Sequence, residues 1–419
     1  MPALNLRKTY QKYPEYKDSK SDWVGVIPKN WNIKRNRFLS TYIKGKNVDF
    51  CNSSEKGCLP YLTAEVIRGT AEPEYCFGDI IIKEKQLLLL WDGANAGEFF
   101  WAGPGVVSST FSLITSNKEI YPRFYYWVSK SFEKKLRDYT QGMGIPHVSP
   151  SIFKDSHFPE IPTSEQKIIS DFLDTKTNLT NQIIEKKQKL ITLLQEKRSA
   201  LITHAVTKGL DPKVKMKQSG IDLIGEIPEN WKTEKLKYIV TERNTKTENL
   251  KTGDKYLGME NIESKTGRLI ESQEEIIPES SANIIINGDV LFGKLRPYLA
   301  KVFVVKQNGI ASGEMLDLKP NKNKIISDFL FYCMLNQEFI ETVNNSTYGA
   351  KMPRASWNFI GNIQISYPNL ESQLTICNHL SEKTKFIDQS ILSIKQQMEL
   401  LSEYRSSLIY HTVTGKIKI

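Results

Sequence analysis

The stretch Asp222–Trp231, DLIGEIPENW, repeats the earlier stretch Asp22–Trp31, DWVGVIPKNW, at a spacing of 200 residues, with six of ten positions identical. Further pairs follow in the same order, with small drifts in spacing. They are YLTAEVI at Tyr61 with YLGMENI at Tyr256, GDIII at Gly78 with GDVLF at Gly288, TQGMGIPHVS at Thr140 with TYGAKMPRAS at Thr347, and EKRSALITHAVT at Glu196 with EYRSSLIYHTVT at Glu403. The chain is therefore two copies of one unit, and each copy has two parts.

The composition favours folded domains and a polyanionic partner. The 419 residues are 40% hydrophobic, and the formal net charge is +10 with a pI near 9.1. A basic face that is merely solvated would explain the charge equally well. The five cysteines are an odd number without a CxxC pair, which argues against a disulfide framework or a zinc finger.

The sequence also predicts a cytoplasmic protein. The first twenty residues contain no apolar core of signal-peptide length. No apolar run approaches the roughly 20 residues that a membrane span needs. We therefore expect no membrane partner.

The first part of each copy is predicted to mix strands, turns and a helical stretch. Apolar runs punctuated by Gly and Asp favour strands, and they are GDIIIKEKQLLLLWDG, VVSSTFSLITS, GDVLFGKLRPYLAKVFVV and GIASGEMLDLKP. YPRFYYWVSKSFEKKLRDY predicts a helix with Pro122 in its first turn, and KIISDFLFYCMLNQEFIETVNN predicts its counterpart.

The second part of each copy is predicted to be one long helix. Residues 164–207 contain neither Pro nor Gly, and at 1.5 Å per residue they would form a rod of roughly 65 Å. Apolar residues follow the 3/4 spacing of a coiled coil, interrupted at Thr180 and Lys187. The predicted seam comprises Ile169, Leu173, Ile184, Ile191, Leu194, Leu201, Ile376, Leu380, Ile387, Ile391, Ile394, Met398, Leu401 and Leu408.

The predicted fold class is α+β, with two similar mixed α/β domains joined by two long antiparallel helices that form a coiled coil with pseudo-two-fold symmetry. The alternative is that each apolar stripe packs on its own globular domain. The predicted domains are residues 1–162 and 211–369, and the predicted spacer helices lie in residues 163–210 and 370–419.

Four phrases together resemble the specificity subunit of Type I restriction–modification enzymes. They are KQSGIDLIGEIPENW, STYGAKMPRAS, GDVLFGKLRPYLAKV and SSLIYHTVTGKI. Each phrase alone is moderately specific, but the four occur in order, are duplicated, and cover essentially the whole chain.

The resemblance implies a DNA-recognition subunit without its own catalytic site. Two target-recognition domains would each read one half of a split, asymmetric site in double-stranded DNA. The helical spacers would fix the gap and dock modification subunits, two of them, which carry S-adenosylmethionine and methylate adenine. A further restriction subunit would carry ATP- and Mg-dependent translocation and cleavage, and the specificity subunit itself would bind no cofactor or metal.

Missing motifs agree with a non-catalytic role. The sequence has no GxxxxGK[ST] phosphate-binding loop, no NPPY or DPPF tetrapeptide, and no His/Cys cluster with metal-ligand spacing. Two alternatives stay open at this point. One is a self-contained nuclease, and the other is a coiled-coil scaffold with basic nucleic-acid-binding domains that lack sequence specificity.

The candidate DNA-binding residues lie in loops. Basic side chains there would contact phosphates, whereas Asn95 suits adenine and Arg296 suits guanine. His147 stands where the second copy has Arg354, which puts a shared phosphate contact in doubt. The predicted set is Lys44, Lys46, Asn95, Gln141, Gly142, His147, Lys246, Lys294, Arg296, Tyr298, Lys351 and Arg354.

Overall fold

The computed structural model describes residues 10–140, 144–221, 224–247, 256–270, 282–349 and 351–419. These residues form two compact units. Unit 1 comprises residues 1–187 and 395–419, and unit 2 comprises residues 188–394. Two long helices, α4 (Thr163–Lys208) and α8 (Leu370–Val413), each contribute one segment to either unit.

Unit 1 contains thirteen described strands and three described short helices besides its segments of α4 and α8. The strands are β1 (Tyr16–Asp18), β2 (Val26–Pro28), β3 (Asn32–Arg35), β4 (Ser40–Lys44), β5 (Asp49–Cys51), β6 (Leu59–Leu62), β7 (Tyr75–Phe77), β8 (Ile81–Ile82), β9 (Gln86–Leu90), β10 (Phe99–Ala102), β11 (Gly105–Val107), β12 (Phe111–Ser116) and β13 (His157–Glu160). The helices are α1 (Ala64–Arg68), α2 (Pro122–Asp138) and α3 (Pro150–Asp155).

Two main sheets build the domain part of unit 1. One sheet has the order β10-β9-β12-β4 and is antiparallel throughout. The other has the order β5-β7-β6-β11-β8, and its β6–β11 pair is parallel. The strands predicted from the Gly- and Asp-punctuated runs are confirmed, as is the helix that Pro122 opens.

Unit 2 has an equivalent arrangement. Its strands are β14 (Met216–Gln218), β15 (Glu226–Pro228), β16 (Lys232–Lys235), β17 (Val240–Arg243), β18 (Lys246–Thr247), β19 (Tyr256–Leu257), β20 (Ala282–Ile285), β21 (Val290–Gly293), β22 (Val302–Val304), β23 (Gly309–Ala311), β24 (Met315–Pro320) and β25 (Gln364–Tyr367). The short helices are α5 (Ser327–Leu335), α6 (Gln337–Asn345) and α7 (Trp357–Ile360). The sheets have the orders β17-β24-β21-β22 and β18-β20-β23-β19, and β19–β23 is the parallel pair.

The counterpart of α2 in unit 2 is two helices rather than the single helix that the sequence predicts. Asn336 breaks it, because its backbone is extended (ψ 131°) between α5 and α6. The Asn336 side chain accepts a hydrogen bond from the amide of Glu338 and so caps the start of α6. It also accepts one from the Thr203 hydroxyl of α4 at 2.9 Å, which ties the break to the long helix.

In unit 1 the two long-helix segments run antiparallel. Arg405 of α8 donates a hydrogen bond to Asn181 of α4, and Lys187 donates to Gln397 at 2.5 Å. Between these two contacts the residue number increases along α4 and decreases along α8, so the two segments are antiparallel. Of the predicted seam in this unit, the buried members are Ile169, Leu173 and Leu408, and the half-buried members are Ile184, Met398 and Leu401.

In unit 2 a buried ion pair joins the helix segments. Arg198 of α4 is 8% exposed, and its Nε lies 3.0 Å from Oδ1 of Asp388 in α8. Of the predicted seam here, the buried members are Ile191, Ile376, Leu380, Ile387 and Ile391, and the half-buried members are Leu194, Leu201 and Ile394.

The apolar stripe also enters the core of each domain, so the two packing modes considered from the sequence coexist. In unit 1, Leu173 and Leu408 belong to the core cluster that contains the fully buried Trp31. In unit 2, Leu380 joins the cluster that contains Trp231. The repeated tryptophan thus anchors the start of each domain against the ends of the long helices.

The cysteine count argued against a disulfide framework, and the structure has a single disulfide among the described residues, between Cys51 and Cys58, with a Cα–Cα distance of 6.5 Å. The turn between them folds back after β5 and brings them within bridging range, which sequence spacing alone does not reveal. The other three cysteines are free and buried. Among the described residues, no helix is both long and apolar enough to cross a membrane.

A buried acidic residue distinguishes unit 2. Asp317 is 1% exposed and lies opposite Arg243 in the β17–β24 register, where unit 1 has the apolar pair Leu113 and Ile43. The Arg243 Nε lies 2.9 Å from Asp289 and 3.5 Å from Asp317. Burial and the neighbouring Asp289 carboxylate raise the pKa of Asp317 from 3.8 to about 8.

The raised pKa makes the stability of unit 2 depend on pH. Between about pH 4 and pH 8 the folded chain keeps a proton on Asp317 that the unfolded chain releases, so the free energy of unfolding falls as pH rises. We expect Asp317→Asn, which mimics the protonated acid, to flatten this decline and to raise the thermal midpoint more at pH 8 than at pH 5. Thermal unfolding at both pH values measures it.

Asp328→Asn is the matched control, because Asp328 is exposed beside Lys306 and should leave the decline unchanged. An Asp317→Asn variant with the wild-type dependence on pH would contradict the assignment of the proton to Asp317.

Candidate nucleic-acid interface

Two loops of unit 1 are locked together by backbone hydrogen bonds. The Gly93 amide donates to the Pro146 carbonyl at 3.0 Å, and the Val148 amide donates to the Trp91 carbonyl at 2.9 Å. Trp91, at the end of β9, stacks on Tyr42 of β4 with ring centroids 4.9 Å apart. We call residues 44–46, 91–95 and 144–149 the first loop cluster.

One carboxylate holds the basic side chains of the first loop cluster. Asp92 lies 2.6 Å from the Lys44 ammonium and 2.6 Å from Nδ1 of His147. Burial alone would raise the pKa of Asp92, but the hydrogen bonds from Lys44 and His147 outweigh it and lower the pKa below its usual value. Both basic side chains remain about half exposed at their outer ends.

Lys44 and Lys46 flank a glycine that must lie close to other backbone. A Cβ at Gly45 would overlap the Ser108 carbonyl, so the chain can pass there only without a side chain. Lys46 pairs with Asp79 at 3.1 Å, and both side chains are largely exposed. This exposed pair contributes little to stability and leaves the lysine available for another anion.

Unit 2 repeats the same lock with different side chains. The Arg296 amide donates to the Pro353 carbonyl at 2.8 Å, and the Ala355 amide donates to the Lys294 carbonyl at 2.9 Å. Arg296 therefore occupies the place that Gly93 has in unit 1. We call residues 294–298 and 351–356 the second loop cluster. Residue 350 lies outside the described residues.

Arg354 has the same position in the second loop cluster as His147 in the first, and it also contacts a carboxylate. Its guanidinium makes a two-pronged contact with the Glu314 carboxylate, at 2.8 and 3.1 Å. Its backbone also pairs with Tyr348 in both directions. The two copies thus hold the same loop with different side-chain contacts, Asp92 with His147 and Glu314 with Arg354.

The second loop cluster presents cationic and apolar side chains to solvent. Arg296 and Lys351 are exposed, and Tyr298 is 46% exposed. Two further exposed side chains were not in the predicted set: Met352 within the cluster, at 60% exposure, and Tyr348 beside it, at 65%. Their position inside the aligned TYGAKMPRAS phrase, beside Lys351 and Arg354, is the signal that could have identified them.

The remaining predicted residues have varied surroundings. Asn95 is exposed, and its carbonyl oxygen accepts a hydrogen bond from Arg137 at 3.0 Å. Lys246 is exposed on β18, and Lys294 is half-buried. Gln141 and Gly142 lie outside the described residues.

Acidic and sulfur-bearing side chains do not gather into a metal-binding group anywhere in the described part of the chain. No set of three or more His, Cys, Asp or Glu residues there could hold a metal ion.

Comparison with known sequences matches both copies to one family. Residues 25–193 and 228–400 match the family described as Type I restriction modification DNA specificity domain. The chain is 29% identical over 413 residues to the Type I restriction enzyme MjaVIII specificity subunit of Methanocaldococcus jannaschii, and the match covers 94% of each chain. It is 22% identical over 322 residues to the Type I restriction enzyme EcoDI specificity subunit of Escherichia coli, covering 70% of each.

A solved structure has the same fold. It comes from work on complex assembly and conformational transition of the type I R-M system, and the TM-score is 0.63 at 14% sequence identity. The match covers 92% of this chain and 98% of the other. At this identity the likeness concerns the fold alone.

The Asp92 carboxylate is predicted to hold the first loop cluster together. We expect Asp92→Asn to weaken its contacts with Lys44 and His147 and to lower the local opening free energy by about 1 kcal/mol, roughly a fivefold change. Hydrogen exchange at the amides of Gly93 and Val148 measures this. Asp79→Asn removes an exposed ion pair and should leave both rates unchanged; equal rates in Asp92→Asn and wild type would refute the role.

Proposed function

The chain belongs to the family of Type I restriction modification DNA specificity domains, and we propose that it is the DNA-recognition subunit of a Type I restriction–modification complex. Its two domains each read one half of a split, asymmetric site in double-stranded DNA. The observation that carries this proposal is the duplicated loop lock. Unit 1 and unit 2 share its backbone hydrogen bonds but differ in the side chains that they expose.

Duplication with divergence is what a bipartite site requires. A shared scaffold presents two sets of loops to the same kind of ligand, and different exposed side chains give each set its own base sequence. Gly93 in one copy and Arg296 in the other illustrate the difference. Phosphate contacts from residues such as Lys46 and Lys351 would add affinity and make binding sensitive to salt.

The chain contributes specificity rather than catalysis in this proposal. S-adenosylmethionine would bind to the modification subunits, which transfer the methyl group to adenine, and ATP with Mg would bind to the restriction subunits. The two halves of the specificity subunit would engage two modification subunits. Since its ligand would be the cell's own and incoming DNA, we place the protein in the cytoplasm.

The long helices supply a surface for these partners. In unit 2, Phe386 of α8 is 71% exposed and Leu193 of α4 is 60% exposed, although both helices are already packed along their seam. Phe386 is the most exposed large apolar side chain among the described residues, and aromatic side chains are enriched at the cores of protein interfaces. We propose that a modification subunit covers Phe386.

Exchange of the first domain should change one half of the recognised site. The chimaera replaces residues 1–162 together with 414–419, because Ile417 packs in the core of the first domain and Lys416 donates to the carbonyls of Val24 and Val26. Methylome sequencing of the host, with the wild-type chain, the chimaera or no chain, gives both half-sites and the gap. We expect methylation to require the chain and one half-site to change in the chimaera.

The reciprocal exchange of residues 211–369 is the control and should change the other half-site alone. If either exchange altered both halves, or if the methylation pattern did not depend on this chain, the proposed function would be wrong.

Substitution of Phe386 by Asp should weaken assembly with the modification subunit at least tenfold, since a buried aromatic anchor contributes about 2 kcal/mol or more to an interface. Titration of the purified chain with the modification subunit, followed by size-exclusion chromatography or calorimetry, measures the affinity. Tyr238→Asp is the matched control, because Tyr238 lies in the same unit and is 61% exposed. Equal losses in both variants would exclude a specific role for Phe386.

A further inference from the structure

The turn that holds Arg296 has an unfavourable backbone. Arg296 is in the left-handed region at φ 51° and ψ 63°, where glycine is the usual residue. The residue after it is Pro297, which disfavours helical conformations at the preceding position. Both effects oppose an arginine in this place.

The same chain contains the favourable solution. Gly93 occupies the equivalent place in unit 1, with φ 112° and the equivalent hydrogen bond to a loop carbonyl. No atom lies within 4 Å of a Cβ built on Gly93, so steric exclusion of a side chain does not account for that glycine. This position of the turn, which has a positive φ in both copies, is therefore a glycine in unit 1 and a strained arginine in unit 2.

The Arg296 side chain has no structural task in the described part of unit 2. It is exposed, and within the described residues its guanidinium has no hydrogen-bond or ion-pair partner. Arg354, by contrast, is held by Glu314. Removal of the Arg296 side chain thus costs the described part of unit 2 no hydrogen bond or ion pair, and glycine would relieve the backbone.

We infer that Arg296 is a DNA-contacting residue of the second domain, and that its guanidinium is retained for this contact at the expense of backbone strain. This inference rests on the proposed function. The guanidinium would donate two parallel hydrogen bonds to oxygen or nitrogen acceptors of DNA, which are either O6 and N7 of a guanine or the oxygens of a phosphate. Exposed Lys351 and Tyr298 in the same loop cluster add positive charge and a stacking surface.

The test is Arg296→Gly in the full complex with its modification subunits. Thermal stability of the chain should stay equal or rise, because the left-handed strain is relieved. Binding to an oligonucleotide that carries the methylome-defined site should fall at least tenfold. If guanine is the target, discrimination at one base pair of the second half-site should disappear.

If phosphate is the target, all sequences should lose affinity alike. The magnitude of the slope of log affinity against log salt concentration should then fall by about 1, which corresponds to one phosphate contact. Arg296→Lys keeps the charge but not the paired donors, so it should restore most of a phosphate contact and little of a guanine contact.

Ala300→Gly is the matched control. Ala300 is also left-handed, at φ 47°, but it is only 4% exposed and its methyl group cannot reach DNA. This variant should relieve similar strain and leave binding and specificity unchanged. Arg296→Gly with wild-type affinity and specificity, or with a destabilised fold, would overturn the inference. A wild-type complex without sequence-specific binding would instead overturn the proposed function.

Discussion

The structure depends on the burial of an apolar stripe on each of two long helices. A helix of 46 residues with alternating apolar and polar faces cannot keep its stripe in water. In unit 1 the start of α4 and the end of α8 bury it against each other and against the Trp31 core. In unit 2 the end of α4 and the start of α8 do the same with the Trp231 core. Each domain is completed by two helix segments that are distant in sequence.

Polar residues within the seam give the pairing its register. Contacts between apolar side chains allow several registers of similar energy. The buried Arg198 selects the register in which it pairs with Asp388, because an unpaired buried charge would be strongly unfavourable. Arg198 also donates to the Lys265 carbonyl, so the same residue connects the helix pair to the domain of unit 2. In unit 1, Arg405 donates a hydrogen bond to Asn181, and Lys187 donates one to Gln397.

Much of the fold follows from the sequence, because the repeat and the apolar periodicity are strong signals. The starts of α4 and α8, the strands of both copies and the buried tryptophans all belong to patterns that occur twice. The interruption at Asn336 does not follow, since the hydrogen bond that Asn336 accepts there comes from Thr203, which lies 133 residues away in the sequence. The link between Cys51 and Cys58 likewise depends on a turn whose closure is not encoded in spacing.

The site was predictable at the level of loops and not of side-chain roles. The aligned phrases located both loop clusters. They did not reveal that His147 is held by Asp92, or that Arg354 is held by Glu314. Asp92 follows β9 and Glu314 precedes β24, which are not equivalent strands, so alignment of one copy on the other does not pair the two acids. The left-handed backbone of Arg296 was equally hidden, because the residue type argued against it.

The discontinuous make-up of unit 1 has a consequence for biosynthesis. Residues 188–394 form unit 2 as one uninterrupted segment, whereas the core of unit 1 needs Leu408, Val413 and Ile417. A ribosome makes these after residues 188–394, so the nascent chain can complete unit 2 while unit 1 still lacks part of its core. Folding of the two units then departs from the usual N-terminal-first order, and the early residues of unit 1 stay incompletely packed until the residues after unit 2 have been made.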